Sequence, residues 1–118
     1  MPSHNTVQQT PAHADGSLIN DQFRGTLGFG DGYTASDCND IGALENYRLA
    51  ANQSHRAAIA LKAGLDQDLM CGGDPDQWSF NALPQALEEG LIQEADIERA
   101  AARVLTHKFS AGLFDNPI

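Results

Sequence analysis

The stretch "GYTASDCNDIGAL", residues 32–44, decides how this chain is read. Tyr33 to Ser36 is a short run of strand formers, and it stops on a carboxylate, Asp37, instead of a Gly or Pro turn. Cys38, Asn39 and Asp40 follow at once. In parallel α/β folds, ligands bind beyond the C-terminal ends of the strands, so a carboxylate there is a candidate for chemistry. Asp and Asn also suit turn and cap positions. The residues alone leave both readings open.

Upstream of the stretch, Leu18, Ile19, Phe23 and Leu27 recur at helical spacing after Ser17, an N-cap residue type, and Gly28 stops the run. The pattern predicts a helix over 17–28. Downstream, "RLAANQSHRAAIALKAG" predicts an Ala-rich helix of about 15 residues ended by Gly64. Leu65 to Met70 reads as a second strand, carrying Asp66 and Asp68, and "CGGDPDQW" as a loop. Phe80, Leu83 and Leu87 mark a helix ended by Gly90, with Pro84 tolerable only in its first turn. The last helix, in "EADIERAAARVLTHKFSAG", is expected to pack through Ile97, Ala101, Val104, Leu105 and Phe109, with Gly112 as its cap. "MPSHN" at the start reads as a further strand.

Short strands alternating with helices predict an α/β fold of about three βα units with a terminal helix. A closed (β/α)8 barrel takes about 250 residues. The sheet would therefore be open at both edges, which is a template for association. Either the chain is a small open α/β domain or it is part of a barrel, and the start on a strand-like segment favours the second. A barrel part made alone is expected to aggregate or to remain molten.

Composition bounds the function. The 118 residues are 42% apolar and 19% charged, a globular balance. A net charge of −9 argues against nucleic acid or an anionic membrane as partner and is compatible with a neutral substrate such as a sugar. No apolar run approaches the ~20 residues of a membrane span, and the N-terminus has no signal-peptide pattern. Its sequence leaves the compartment open.

Three polar groups fall at the strand ends: Ser3, His4 and Asn5; Asp37 to Asp40; and Asp68 to Gly73. His4 is a candidate hydrogen-bond partner of Asp37 from the neighbouring strand, or else a solvated loop histidine. His13, in a Pro-containing loop, and His55 and His107, in helices, carry less weight. No HxxxH or CxxC spacing supports a metal site. Trp78 can stack on a sugar face or anchor packing. Asp40, three residues past Asp37, suits a cap on the next helix. The "GFGDG" glycines precede a strand and do not form a phosphate loop.

Two cysteines are too few for a disulfide-built scaffold, and are either free thiols or one bridge. Cys38 and Cys71 each follow a predicted strand. Parallel strands lie about 4.8 Å apart, within the Cα separations a disulfide tolerates, so a bridge is geometrically open to them.

The chain resembles the C-terminal part of the barrel domain of glycoside hydrolase family 3, which holds β-glucosidases and β-xylosidases. "MPSHN" is similar to a family strand that ends Ser-Tyr-Asn. "LINDQFRGTLGF" resembles the stretch that follows, with Arg24, Gly28 and Phe29 in the family's places. "SDCNDI" matches Ser-Asp-(Trp/Cys)-x-x-Ile, "ALKAGLDQDL" resembles the Ala-Gly-x-Asp segment, and "RVLTHKFSAGLFDNP" resembles the end of the domain. The resemblance runs over essentially the whole chain.

It implies that residues 1–118 are a fragment of a (β/α)8 barrel from an exo-acting retaining β-glycosidase, inactive alone. Asp37 takes the place of the nucleophile, and His4, Cys38 and Trp78 would contact substrate. A retaining enzyme needs a second acid about 5 Å away, and the family's acid/base residue falls outside this chain. No cofactor or metal is implied. The partners are a small-molecule or oligosaccharide substrate, the rest of the barrel and a C-terminal domain. Cysteine after the nucleophile leans towards the β-xylosidase-like members. Two departures stand out: His4 replaces the family's Tyr beside the nucleophile, and Gln8-Gln9 replaces Asn-Gly. The rival readings are a non-catalytic carbohydrate-binding or interaction segment and an unrelated small α/β binding domain.

Overall fold

A computed structural model of the chain describes residues 1–69, 71–72 and 78–115. Helices dominate. A π-helix covers Ser17–Thr26, followed by α1 (Asp40–Ala43), α2 (Gln53–Ala63), α3 (Leu83–Glu88) and α4 (Glu94–Ser110). Strands β1 (Thr6–Val7) and β2 (Thr10–Pro11) form an antiparallel hairpin. The fold is thus an α/β segment, largely helical with few strands.

The expected parallel sheet survives as one bridge, Ala35 to Gln67. The Ser36 N–H donates to Gln67 O at 2.9 Å, and the Asp66 N–H donates to Thr34 O at 2.9 Å. Side chains end this ladder on both sides. Ser36 Oγ accepts the Leu69 N–H at 2.9 Å, and Thr34 Oγ1 donates to the Gly64 carbonyl at 2.6 Å. Residues 1–5 do not form the expected strand. Asn5 O accepts from the Ala12 N–H instead, which extends the β1–β2 hairpin and turns the segment back on itself. Met70 of the second predicted strand lies outside the described residues.

Helix ends follow the local chemistry. The first helix starts where Asp15 Oδ1 accepts the Leu18 N–H at 3.0 Å, so Asp15, and not Ser17, supplies the cap. It ends at Thr26, two residues short of Gly28. α2 begins at Gln53, later than expected, because Asn52 Oδ1 accepts the His55 N–H at 2.9 Å and Arg48 sits at φ 56°. Gly64 closes it at φ 108°, a conformation that favours glycine. Pro84 occupies the first turn of α3.

α2 lies between two apolar clusters. Ala60 and Ala63 pack with Ile19, Ile41, Leu44 and Leu65, while Ala58 and Leu61 pack with Ala86, Ile92 and Ala100. Small side chains on this helix let the flanking elements approach from both sides. α4 uses a different face from the one expected. Ala100 is buried and Ile97 packs beside it, whereas Leu105 and Phe109 stay exposed at 44% and 62%. Among the described residues, no helix is long and apolar enough to cross a membrane.

At the end of the pairing opposite Asp37, Arg24 crosslinks the segments. Its Nη2 donates to Asp66 Oδ2 at 2.7 Å and to Gly64 O at 3.0 Å, and its Nη1 donates to Gly30 O and Gly32 O. Asp66 Oδ2 also accepts the Thr34 N–H at 2.8 Å, and Asp66 Oδ1 pairs with Arg103 Nη1 at 3.0 Å. Burial pushes the Arg24 guanidinium down and Asp66 opposes that shift. The interaction ties α4 to the bridge that carries Asp37.

Candidate active site

Asp37 lies one residue past the last backbone bond of the parallel bridge. The Cys38 N–H donates to Asp37 Oδ1 at 2.6 Å, which fixes the carboxylate against its own loop. Asn39, at φ 56°, turns the chain sharply into α1, and its N–H donates to Leu69 O at 3.2 Å. Gly42 leaves room for the Asn39 side chain, whose Oδ1 a Cβ there would meet. A disulfide joins Cys38 to Cys71, with Cα atoms 5.3 Å apart, and ties the Asp37 loop to the loop after Leu69.

Asp40, expected as a cap on the next helix, does more than cap. It is completely buried, and its Oδ2 accepts the Asp37 N–H at 3.2 Å. The carboxylate turns back under the loop in the first turn of α1. His4 completes the cluster. Its Nε2 lies 3.6 Å from Asp37 Oδ2, and its Nδ1 contacts Asp40 Oδ1. His4 and Asp37 are accessible, 54% and 40% exposed.

His13 packs behind them, fully buried, with Nδ1 4.0 Å from Asp40 Oδ1. Burial pushes its imidazole below the ordinary histidine value, against the opposing pull of Asp40. Sequence spacing gives His13 little weight. Its sole signal was its position behind Pro11, and Pro11 ends β2 and directs the following turn into the core. Asp40 and His13 are therefore the two site residues that sequence reasoning undervalued.

The structure brings His4, Asp37, Cys38 and Asp40 together. It places Trp78 at the N-terminal end of α2, where the Trp78 carbonyl accepts from Gln53 Nε2 at 2.7 Å. Its neighbour Phe80 donates its N–H to Asp68 Oδ2 at 3.2 Å, and Asp68 Oδ1 accepts from Ser36 Oγ at 3.3 Å. These bonds tie the segment after Trp78 to the residues before Asp37 through Asp68 and Ser36. Of the Asp68–Gly73 group, Met70 and Gly73 lie outside the described residues. His55 is held at the start of α2, and His107 packs edge-on against Tyr33.

Residues 1–107 match the model of the glycosyl hydrolase family 3 N terminal domain. The chain belongs to glycosyl hydrolase family 3. It is 36% identical over 118 residues to a β-xylosidase of Formosa agariphila, a match covering 98% of this chain and 16% of that protein. The structure resembles a β-glucosidase from Erythrobacter marinus with a TM-score of 0.85 and 38% identity, over 98% of this chain and 15% of that one. It resembles a β-glucosidase from Listeria innocua, solved with isofagomine, with a TM-score of 0.86 and 30% identity over 98% and 15%. The chain therefore spans about a sixth of the length of these family 3 relatives. The matched range contains "SDCNDI" and "ALKAGLDQDL", two of the motifs that carry the family resemblance.

Proposed function

We propose that the chain is a segment of a (β/α)8 barrel, roughly three βα units and a terminal helix, from an exo-acting retaining β-glycosidase. The substrates are terminal non-reducing β-D-glucosyl or β-D-xylosyl residues, and Asp37 is the nucleophile. The observation that carries this reading is the Asp37 carboxylate. It stands directly beyond the parallel pairing, accessible, fixed by the Cys38 N–H and flanked by His4.

A retaining glycosidase forms a covalent glycosyl-enzyme on one carboxylate while a second acid protonates the departing oxygen. Asp37 Oδ2 would attack the anomeric carbon as the glycosidic bond breaks, and the leaving oxygen takes its proton from an acid supplied by the remainder of the protein. Water then releases the sugar from Asp37. His4 orients the attacking oxygen in the place of the family's Tyr. Cys38 and Trp78 border the sugar site. No cofactor enters this scheme.

Exposed Leu27, Phe29, Leu105, Phe109, Leu113 and Phe114 support the fragment reading, since they offer apolar surface that further barrel elements would cover. The chain alone should accordingly be inactive. The test replaces the matching segment of the Formosa agariphila β-xylosidase with residues 1–118, giving a chimaera. A 2-fluoro glycoside that turns over slowly should label Asp37. A label on another carboxylate, or near-normal kcat in Asp37→Asn, refutes the assignment.

A further inference from the structure

We propose that His4, Asp37 and Asp40 form a binding site for a divalent cation of the zinc class. One ligating atom from each lies within 4.8 Å of the others. Zinc holds nitrogen and oxygen ligands at about 2.0–2.2 Å, so its donors stand about 3–3.5 Å apart. Shifts of about an ångström close the set, and His4 and Asp37, both on accessible loop segments, can make them.

His13 is the independent sign that this cluster is more than two acids and a surface histidine. It is fully buried, neither ring nitrogen has a hydrogen-bond partner among the described residues, and Nδ1 faces Asp40 Oδ1. Carboxylates that ligate a metal are themselves held by a neighbouring group, and His13 stands in that position behind Asp40. Imidazole with carboxylates suits zinc-class ions, whereas Mg²⁺ and Ca²⁺ prefer oxygen alone. The two nitrogens of His4 face different carboxylates, so the accessible imidazole turns out from between them when one of its nitrogens and both carboxylates hold a single cation. The absence of HxxxH and CxxC spacings hid the set, because its ligands come from segments that only folding brings together. If Asp37 is the nucleophile, the cation occupies the attacking oxygen and blocks the covalent step. That consequence rests on the proposed function; the binding does not.

ZnCl2 titrated into the chimaera against a chromophoric chelator, without substrate and with the host enzyme as background, tests the site. One additional equivalent should bind, about tenfold or more weaker in His4→Ala and in Asp37→Asn. His107→Ala should bind as the unaltered chimaera does, and excess MgCl2 should not displace the ion. No additional equivalent, or undiminished binding in both ligand variants, overturns the site. Labelling of Asp37 without zinc uptake refutes the cation site alone. Zinc uptake without labelling refutes the nucleophile alone.

Discussion

Asp40 Oδ2 accepts the backbone N–H of Asp37 at 3.2 Å from a position with no solvent exposure. The two carboxylates of "SDCND" are therefore unequal: one is presented, and the other supports it from beneath.

Asp40→Asn should cost more than the loss of a simple cap. Removing the charge weakens the bond to the Asp37 N–H and the contact with His4, a loss of about 1–3 kcal/mol. It should lower kcat far less than Asp37→Asn, which removes the covalent step and costs several orders of magnitude. Denaturant midpoints and kcat of the two chimaera variants separate these effects. An Asp40→Asn midpoint matching the parent would return Asp40 to the role of a simple cap.

Gln8 and Gln9 adopt φ 48° and 72° at the tip of the β1–β2 hairpin. Two-residue hairpin turns of this hand prefer Asn-Gly, and left-handed backbone costs other residues about 1–2 kcal/mol each. The double change Gln8→Asn, Gln9→Gly should stabilise the chimaera by about 1 kcal/mol or more. An unchanged or lower midpoint would show that the hairpin does not form.

Arg24→Met should destabilise strongly, by about 3–5 kcal/mol, because Asp66 would stay buried with one partner fewer. Arg103→Met should cost less, since Arg24 retains its bonds to Asp66 and to the Gly64 carbonyl. Equal losses would contradict the central position of Arg24.

Cys71→Ser opens a crosslink between residues 33 apart, worth on the order of 3–4 kcal/mol in a loop-entropy account. Loop loosening should also reduce labelling of Asp37 by the 2-fluoro glycoside. Two alkylatable thiols in the unreduced protein would show that the bridge is not formed.

Asp96 gives a pH signature. Its Oδ2 accepts the Gln93 N–H at 3.0 Å and its Oδ1 accepts from Arg99 at 2.7 Å. These bonds hold the carboxylate below the ordinary aspartate value. A lowered folded pKa means that the stabilisation is complete above the unfolded value and disappears as pH falls through the folded one. Asp96→Ala should therefore destabilise by about 1 kcal/mol at neutral pH, and the difference from the parent should vanish in acid. Urea midpoints measured from about pH 7 down to about pH 3 would show it. A difference independent of pH would rule out the capping role.

What the sequence determined by itself is what adjacent residues decide. Gly64 ends α2, Pro84 enters α3 in its first turn, and Asp37 stands at the end of a strand-forming run, all through contacts within a few residues. "SDCNDI" and its companion motifs identified the family for the same reason. Only the tertiary structure decided which polar groups are buried. Asp40 looked like a cap because its neighbours favour caps, yet Ile41 and Leu44 pull α1 into the core and carry Asp40 under the Asp37 amide. His13 looked like a loop residue, but the β1–β2 hairpin folds it inward behind Asp40. α4 turned its Ala100 face inward because Arg103 reaches Asp66, 37 residues earlier, which no periodicity can register. The short parallel bridge has the same origin. Ser36, Thr34 and Arg24 saturate its ends with side-chain bonds, and those partners meet only after the chain has folded.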